Sequence, residues 1–78
     1  MEIIPVPVRG TIKLGQFLKL ANMVDQGAEA TAAIAAGEIM VDGQVVTTRG
    51  SKLSLGQVVS WTEDDNYGWQ VAEEDSEF

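Results

Sequence analysis

The hydrophobic period of the chain changes twice, and the changes mark out its elements. From Ile12 onward, Leu14, Phe17, Leu18, Ala21 and Val24 recur at the spacing of one helical face, while Gly15, Gln16, Lys19, Asn22 and Gln26 fall on the opposite side. This predicts a first helix that breaks at Asp25-Gln26-Gly27. Residues 28–36 hold six alanines and Ile34 and end at Gly37, a residue suited to the left-handed position after a helix. A second, short helix follows, with Ala30, Ala33 and Ile34 as its contact line against the first, since alanine allows close approach.

After Gly37 the period becomes two. Ile39 and Val41 alternate with Glu38 and Met40, and Asp42-Gly43 is a strong signal for a tight hairpin turn into Gln44–Thr47. Residues 48–55 read as a turn-rich connection closed by Gly56, and 57–61 as a third strand with Val59 and Trp61 on one face. Residues 63–68 read as a loop and 69–72 as a possible further strand. At the other end, Ile3–Val8 interleaves apolar residues with Pro5 and Pro7, and because proline donates nothing to a ladder the segment is at best an edge strand. The expected fold class is α+β, two short packed helices followed by a small antiparallel sheet of three to four strands. One domain over 1–72 is expected, with its core in 12–61 and an acidic, disordered tail over 73–78.

Composition narrows the chemistry. The 78 residues include no cysteine and no histidine, which removes disulfides, thiol nucleophiles, imidazole acid–base catalysis and the usual zinc ligands. No Gly-rich phosphate loop, nucleophile elbow or paired-carboxylate pattern is present. Asp64-x-Asn66-x-Gly68 lacks the oxygen ligand and the glycine that a calcium loop needs, so it reads as a solvated acidic loop. No enzyme activity, cofactor or metal is therefore expected. No apolar run is long enough to span a bilayer and no targeting segment is visible, so a cytoplasmic monomer is the default expectation.

The net charge of −7, from 12 acids against five bases, is unevenly spread. Residues 1–60 are neutral overall, and the surplus lies in Glu63, Asp64, Asp65, Glu73, Glu74, Asp75 and Glu77. A neutral body with an acidic appendage leaves room for an anionic partner on the body.

The order helix, turn, short helix, glycine, strand, Asp-Gly, strand, basic loop, strand resembles the alpha-L RNA-binding motif, the S-four-type domain of the fourth small-subunit ribosomal protein. The likeness is carried by Lys13-Leu14, Phe17-Leu18-Lys19, Gly27, Glu29-Ala30, Ile34, Gly37-Glu38, Val41-Asp42-Gly43, Arg49-Gly50, Lys52-Leu53 and Gly56-x-Val58-Val59, over about residues 12 to 61. Small stand-alone bacterial members are the most similar.

The resemblance implies a non-catalytic module for structured RNA such as ribosomal or transfer RNA. Lys19, with Gln16, Asn22 and Gln26, offers one cation among neutral donors suited to phosphate oxygens and 2′-hydroxyls. Arg49 and Lys52 supply a second contact line. Lys13 sits at a helix start, where the dipole disfavours a cation, and is better explained by an external anion. Thr31, Thr48, Ser51 and Ser54 stand where family members commonly carry Lys or Arg, which implies modest affinity. The alternative reading is a protein-interaction module of the same fold that has lost its nucleic-acid face and uses the acidic tail on a basic protein.

Overall fold

The computed structural model describes residues 1–74. The chain runs β1 (Glu2–Val8), β2 (Ile12–Lys13), α1 (Leu14–Leu20), α2 (Gly27–Ala35), β3 (Ile39–Val41), β4 (Gln44–Val45), β5 (Lys52–Leu53), β6 (Val58–Trp61) and β7 (Asp64–Glu73). Five strands form one sheet in the order β1-β7-β6-β3-β4, and β2 pairs with β5 in a separate antiparallel ladder. The main sheet is mixed rather than purely antiparallel, and larger than the three to four strands expected, because β1 joins it parallel to β7.

The two prolines explain how β1 can pair at all. In a parallel ladder, alternate residues direct both N–H and C=O to the same neighbour. The Val8 carbonyl accepts from Glu74 N at 2.9 Å, which places Val6 and Ile4 on the β7 side and leaves Pro5 and Pro7 facing the open edge. Neither proline costs a ladder bond there. The same alternation turns Val6 and Val8 into the core while Pro5 and Pro7 stay exposed.

Both helices end in the same way, and the first ends earlier than its apolar period suggests. Asn22 adopts φ 59° after α1, as Gly37 adopts φ 75° after α2. Asn22 N donates to Lys19 O and Met23 N to Leu18 O, a pattern repeated by Gly37 to Ile34 and Glu38 to Ala33. These are paired carbonyl caps built around a left-handed residue, for which asparagine is the usual substitute when glycine is absent. Asn22 and Gln26 therefore do not extend the solvent face of α1. Gln26 is instead the residue that opens α2, its carbonyl accepting from Glu29 N and Ala30 N.

The core joins Leu14, Phe17 and Leu18 of α1 and Ala30, Ala33 and Ile34 of α2 to Val6, Val8, Ile39, Val41, Val59 and Val71 of the sheet. Phe17 is fully enclosed, as its place on the apolar helix face requires. The Asp42-Gly43 turn has φ 52° and 84°, the conformation of a two-residue hairpin, and Asp42 Oδ1 also accepts from Val58 N at 2.9 Å.

The largest departure from the sequence expectation is residues 64–68. They form the first half of β7, with Trp61 opposite Asp64 across a two-residue turn. Tyr67 and Gly68 are held extended by Glu2 and Ile3 of β1, and Gly68 is needed: a Cβ there would meet Val58 Cγ1 at 2.7 Å. Glu73 closes the same strand and Glu74 binds Arg9, so neither belongs to a disordered tail. The rest of the expected tail, residues 75–78, lies outside the described residues. No helix is long and apolar enough to cross a membrane among the described residues.

Candidate nucleic-acid interface

The connection between β4 and β5 is held against the start of α1. Leu14 N donates to Ser51 O at 2.8 Å and Gly15 N to Arg49 O at 3.0 Å, so backbone carbonyls satisfy N–H groups that a helix start leaves open. Gly15 lies directly beneath Arg49, and a Cβ there would sit 3.5 Å from the Arg49 carbonyl oxygen. The Lys13 N–H is taken by Gln16 Oε1 at 3.2 Å. Gln16 thus serves the helix start with its carbonyl and keeps only its amide NH₂ for a ligand.

This docking brings the two basic segments together. The β2–β5 ladder sets Lys13 directly opposite Lys52. Cross-strand partners share a face with Cβ atoms about 5 Å apart, and like charges in that position are destabilising. Arg49 reaches the other way and donates from Nη1 to Thr31 Oγ1 on α2 at 3.1 Å. Thr31 Oγ1 in turn donates to Gly27 O at 3.1 Å. Gly27 is covered by the stem of Lys19, whose Cδ would lie 4.0 Å from a Cβ built there. Lys13 and Lys52 thus share one ladder face, Arg49 and Lys19 both reach the Gly27–Thr31 stretch of α2, and all four cations are exposed.

Of the residues expected to touch RNA, these four cations are brought together with Gln16. Asn22 and Gln26 occupy the helix–helix connection and do backbone work. Thr31 accepts from Arg49, and nothing in the sequence marks that pairing. The fifth base, Arg9, is spent on Glu74, to which both Nε and Nη2 donate. That is the one ion pair among the described residues, so Lys13, Lys19, Arg49 and Lys52 have no carboxylate partner among them.

Among the described residues no acid pairs with these four cations. Glu63 belongs to the β6–β7 turn, Asp64 and Asp65 open β7, and Glu38 follows α2. Asn66 N donates to Asp64 Oδ1, which makes the cluster a self-bonded strand start, and no group of acids is suited to a metal among the described residues. Of the aromatics, Phe17 and Trp61 belong to the packing, whereas Tyr67 is exposed and stands 6.3 Å from Trp69, ring centre to ring centre.

A two-helix unit with a basic loop docked on the start of its first helix and a small sheet behind it is the architecture of the alpha-L class of RNA-binding fold. The S4 domain family model matches residues 8–68, and the chain belongs to that family. It is 42% identical over 50 residues to the Escherichia coli (strain K12) protein YbcJ, provisionally named an RNA-binding protein, covering 64% of this chain and 71% of that one. It is likewise 42% identical over 48 residues to the Bacillus subtilis (strain 168) protein RlbA, provisionally named a ribosome maturation protein, covering 62% and 68%. The solution structure of YbcJ, described as revealing an alpha-L motif involved in RNA binding, superposes with a TM-score of 0.61 at 33% identity over 92% of this chain and 87% of that one.

Proposed function

We propose that the protein is a non-catalytic binder of structured RNA, with ribosomal RNA as its target, and that it reads backbone shape rather than base sequence. The observation that carries this reading is Lys13 facing Lys52 across a ladder with no carboxylate among the described residues to relieve them. A like-charge pair that costs stability in the free protein becomes favourable once a phosphate lies between the two ammonium groups. Arg49 is pre-positioned by Thr31 and so loses little freedom on binding. Lys19 and the amide of Gln16 extend the line of contact along α1. The ribosome maturation role in the name of RlbA supports ribosomal RNA as the target.

Four cations on looped, single-stranded segments of a structured RNA imply a shallow salt dependence, with a slope of about −3 in log affinity against log salt at roughly −0.7 per contact. The test is fluorescence anisotropy with ribosomal and transfer RNA fragments at low salt. Arg49→Ala with Lys52→Ala is expected to weaken binding by about 25-fold at roughly 0.1 M salt, the counterion-release contribution of two contacts. Equal affinity of the native protein and the double variant would overturn the reading.

A further inference from the structure

On the side of α2 turned away from Thr31 lies an open groove between that helix, the α1–α2 connection and β6. Its floor is apolar, formed by Met23, Ala32, Ala33, Ala36 and Trp61. Its edges carry Glu29 at one end and Glu38 at the other. Glu38 is tied to the acidic β6–β7 turn through its carbonyl, which accepts from Thr62 N at 2.9 Å, and Glu63 follows directly. At the opposite end, Glu29 Oε1 accepts from Asp25 N, which fixes that carboxylate beside a second acid. No cation pairs with any of these four acids among the described residues.

We propose that this groove docks a basic protein segment, one that places an aliphatic or aromatic side chain on the floor and arginine or lysine against the two ends. Three features select that occupant. Ala32 and Ala36 are exposed helix positions, where long charged side chains are the usual residents, and alanine keeps the Trp61 floor open. Carboxylates at both ends repel nucleic acid and acidic surfaces and favour a polycation. Trp61, half-buried and lining the groove, offers an indole for contact with a guanidinium between Glu29 and Glu38. This surface is separate from the basic face, and the inference does not rest on RNA binding.

The test uses the full chain, isotopically labelled for amide chemical shifts, titrated with a short synthetic peptide alternating arginine and leucine. A peptide with glutamate in place of arginine is the control. Shifts are expected at the Trp61 indole N–H and at the amides of Ala32, Ala36 and Glu38. Glu29→Gln with Glu38→Gln should weaken binding about three- to tenfold, as expected for two exposed ion pairs. Ala36→Lys should weaken it further by filling the groove; a lysine at a helix end is well tolerated, so the fold should hold. The proposal is overturned if the shifts gather on Asp64, Asp65 and Glu73 while the groove amides stay still. It is equally overturned if the glutamate peptide binds as well, if the double glutamine variant binds like the native chain, or if the groove is filled by a second copy of the protein.

Discussion

The two sides of α2 are built from the same alanine-rich helix and differ almost completely in charge. On one side Thr31 receives Arg49 and the stem of Lys19 lies by Gly27, while Lys13 and Lys52 face each other across the ladder at the start of α1. On the other, Ala32 and Ala36 leave a bare floor bounded by Glu29 and Glu38. The helix itself contributes one charged residue, Glu29. Its chemistry is lent by neighbours: the β4–β5 connection on the basic side, the α1–α2 connection and the β6–β7 turn on the acidic side. A helix with small side chains acts here as a partition between opposite charges, so that in a chain of net charge −7 the four cations pair with no acid among the described residues.

Because both sides rest on one core, the strongest perturbation should remove them together. Phe17→Ala deletes a fully enclosed ring and should cost about 3–5 kcal/mol, a large part of the stability of a domain this small. Urea denaturation would show it, and both RNA and peptide binding should fall with the folded fraction. The reciprocal experiment keeps the core and separates the sides. The Arg49→Ala, Lys52→Ala protein should retain peptide affinity to within about twofold, and the Glu29→Gln, Glu38→Gln protein should retain RNA affinity to the same degree, because screened charges on opposite sides of a helix couple weakly. Large cross-effects in either titration would mean that the partition is not electrostatically effective.

Smaller changes sharpen the basic side. Lys52→Gln relieves the repulsion from Lys13 and should raise stability by about 0.2–1 kcal/mol while lowering RNA affinity, a combination that an ordinary surface lysine would not give. Thermal melting and anisotropy on the same sample would check both signs. Thr31→Val keeps the branched shape but removes the acceptor for Arg49. An exposed hydrogen bond of this kind contributes about 0.5 kcal/mol, so RNA affinity should fall about twofold with little change in melting temperature.

Local signals in the sequence were reliable where they were strong. The Asp42-Gly43 hairpin, the stop at Gly37, the apolar line of α2 and the burial of Phe17 each follow from turn chemistry or periodicity, and each is found. The end of α1 was obscured because Ala21 and Val24 continue the apolar period past Asn22, whose left-handed conformation is legible only as a weak preference. Residues 64–68 resemble a turn in composition, and their extension depends on partners at both ends, Trp61 of β6 for Asp64 and Glu2 and Ile3 of β1 for Tyr67 and Gly68. The parallel joining of β1 to β7 has no local signature, since it closes the chain from end to end.

The site divides in the same way. Lys13, Lys19, Arg49 and Lys52 were legible through the family pattern. Their convergence depends on two carbonyl contacts, from Arg49 and Ser51 to the start of α1, and on the two-residue β2–β5 ladder. Elements that short carry no periodicity. The role of Thr31 could not be read at all, because it is defined by a partner 18 residues away.

The most direct measurement is the salt dependence of RNA affinity for the native protein beside the Arg49→Ala, Lys52→Ala variant. A converged set of four phosphate contacts predicts a slope of about −3 that falls to about −1.4 when two are removed. Two parallel lines of equal slope would contradict it, because the exchanged residues would then contribute nothing to phosphate binding.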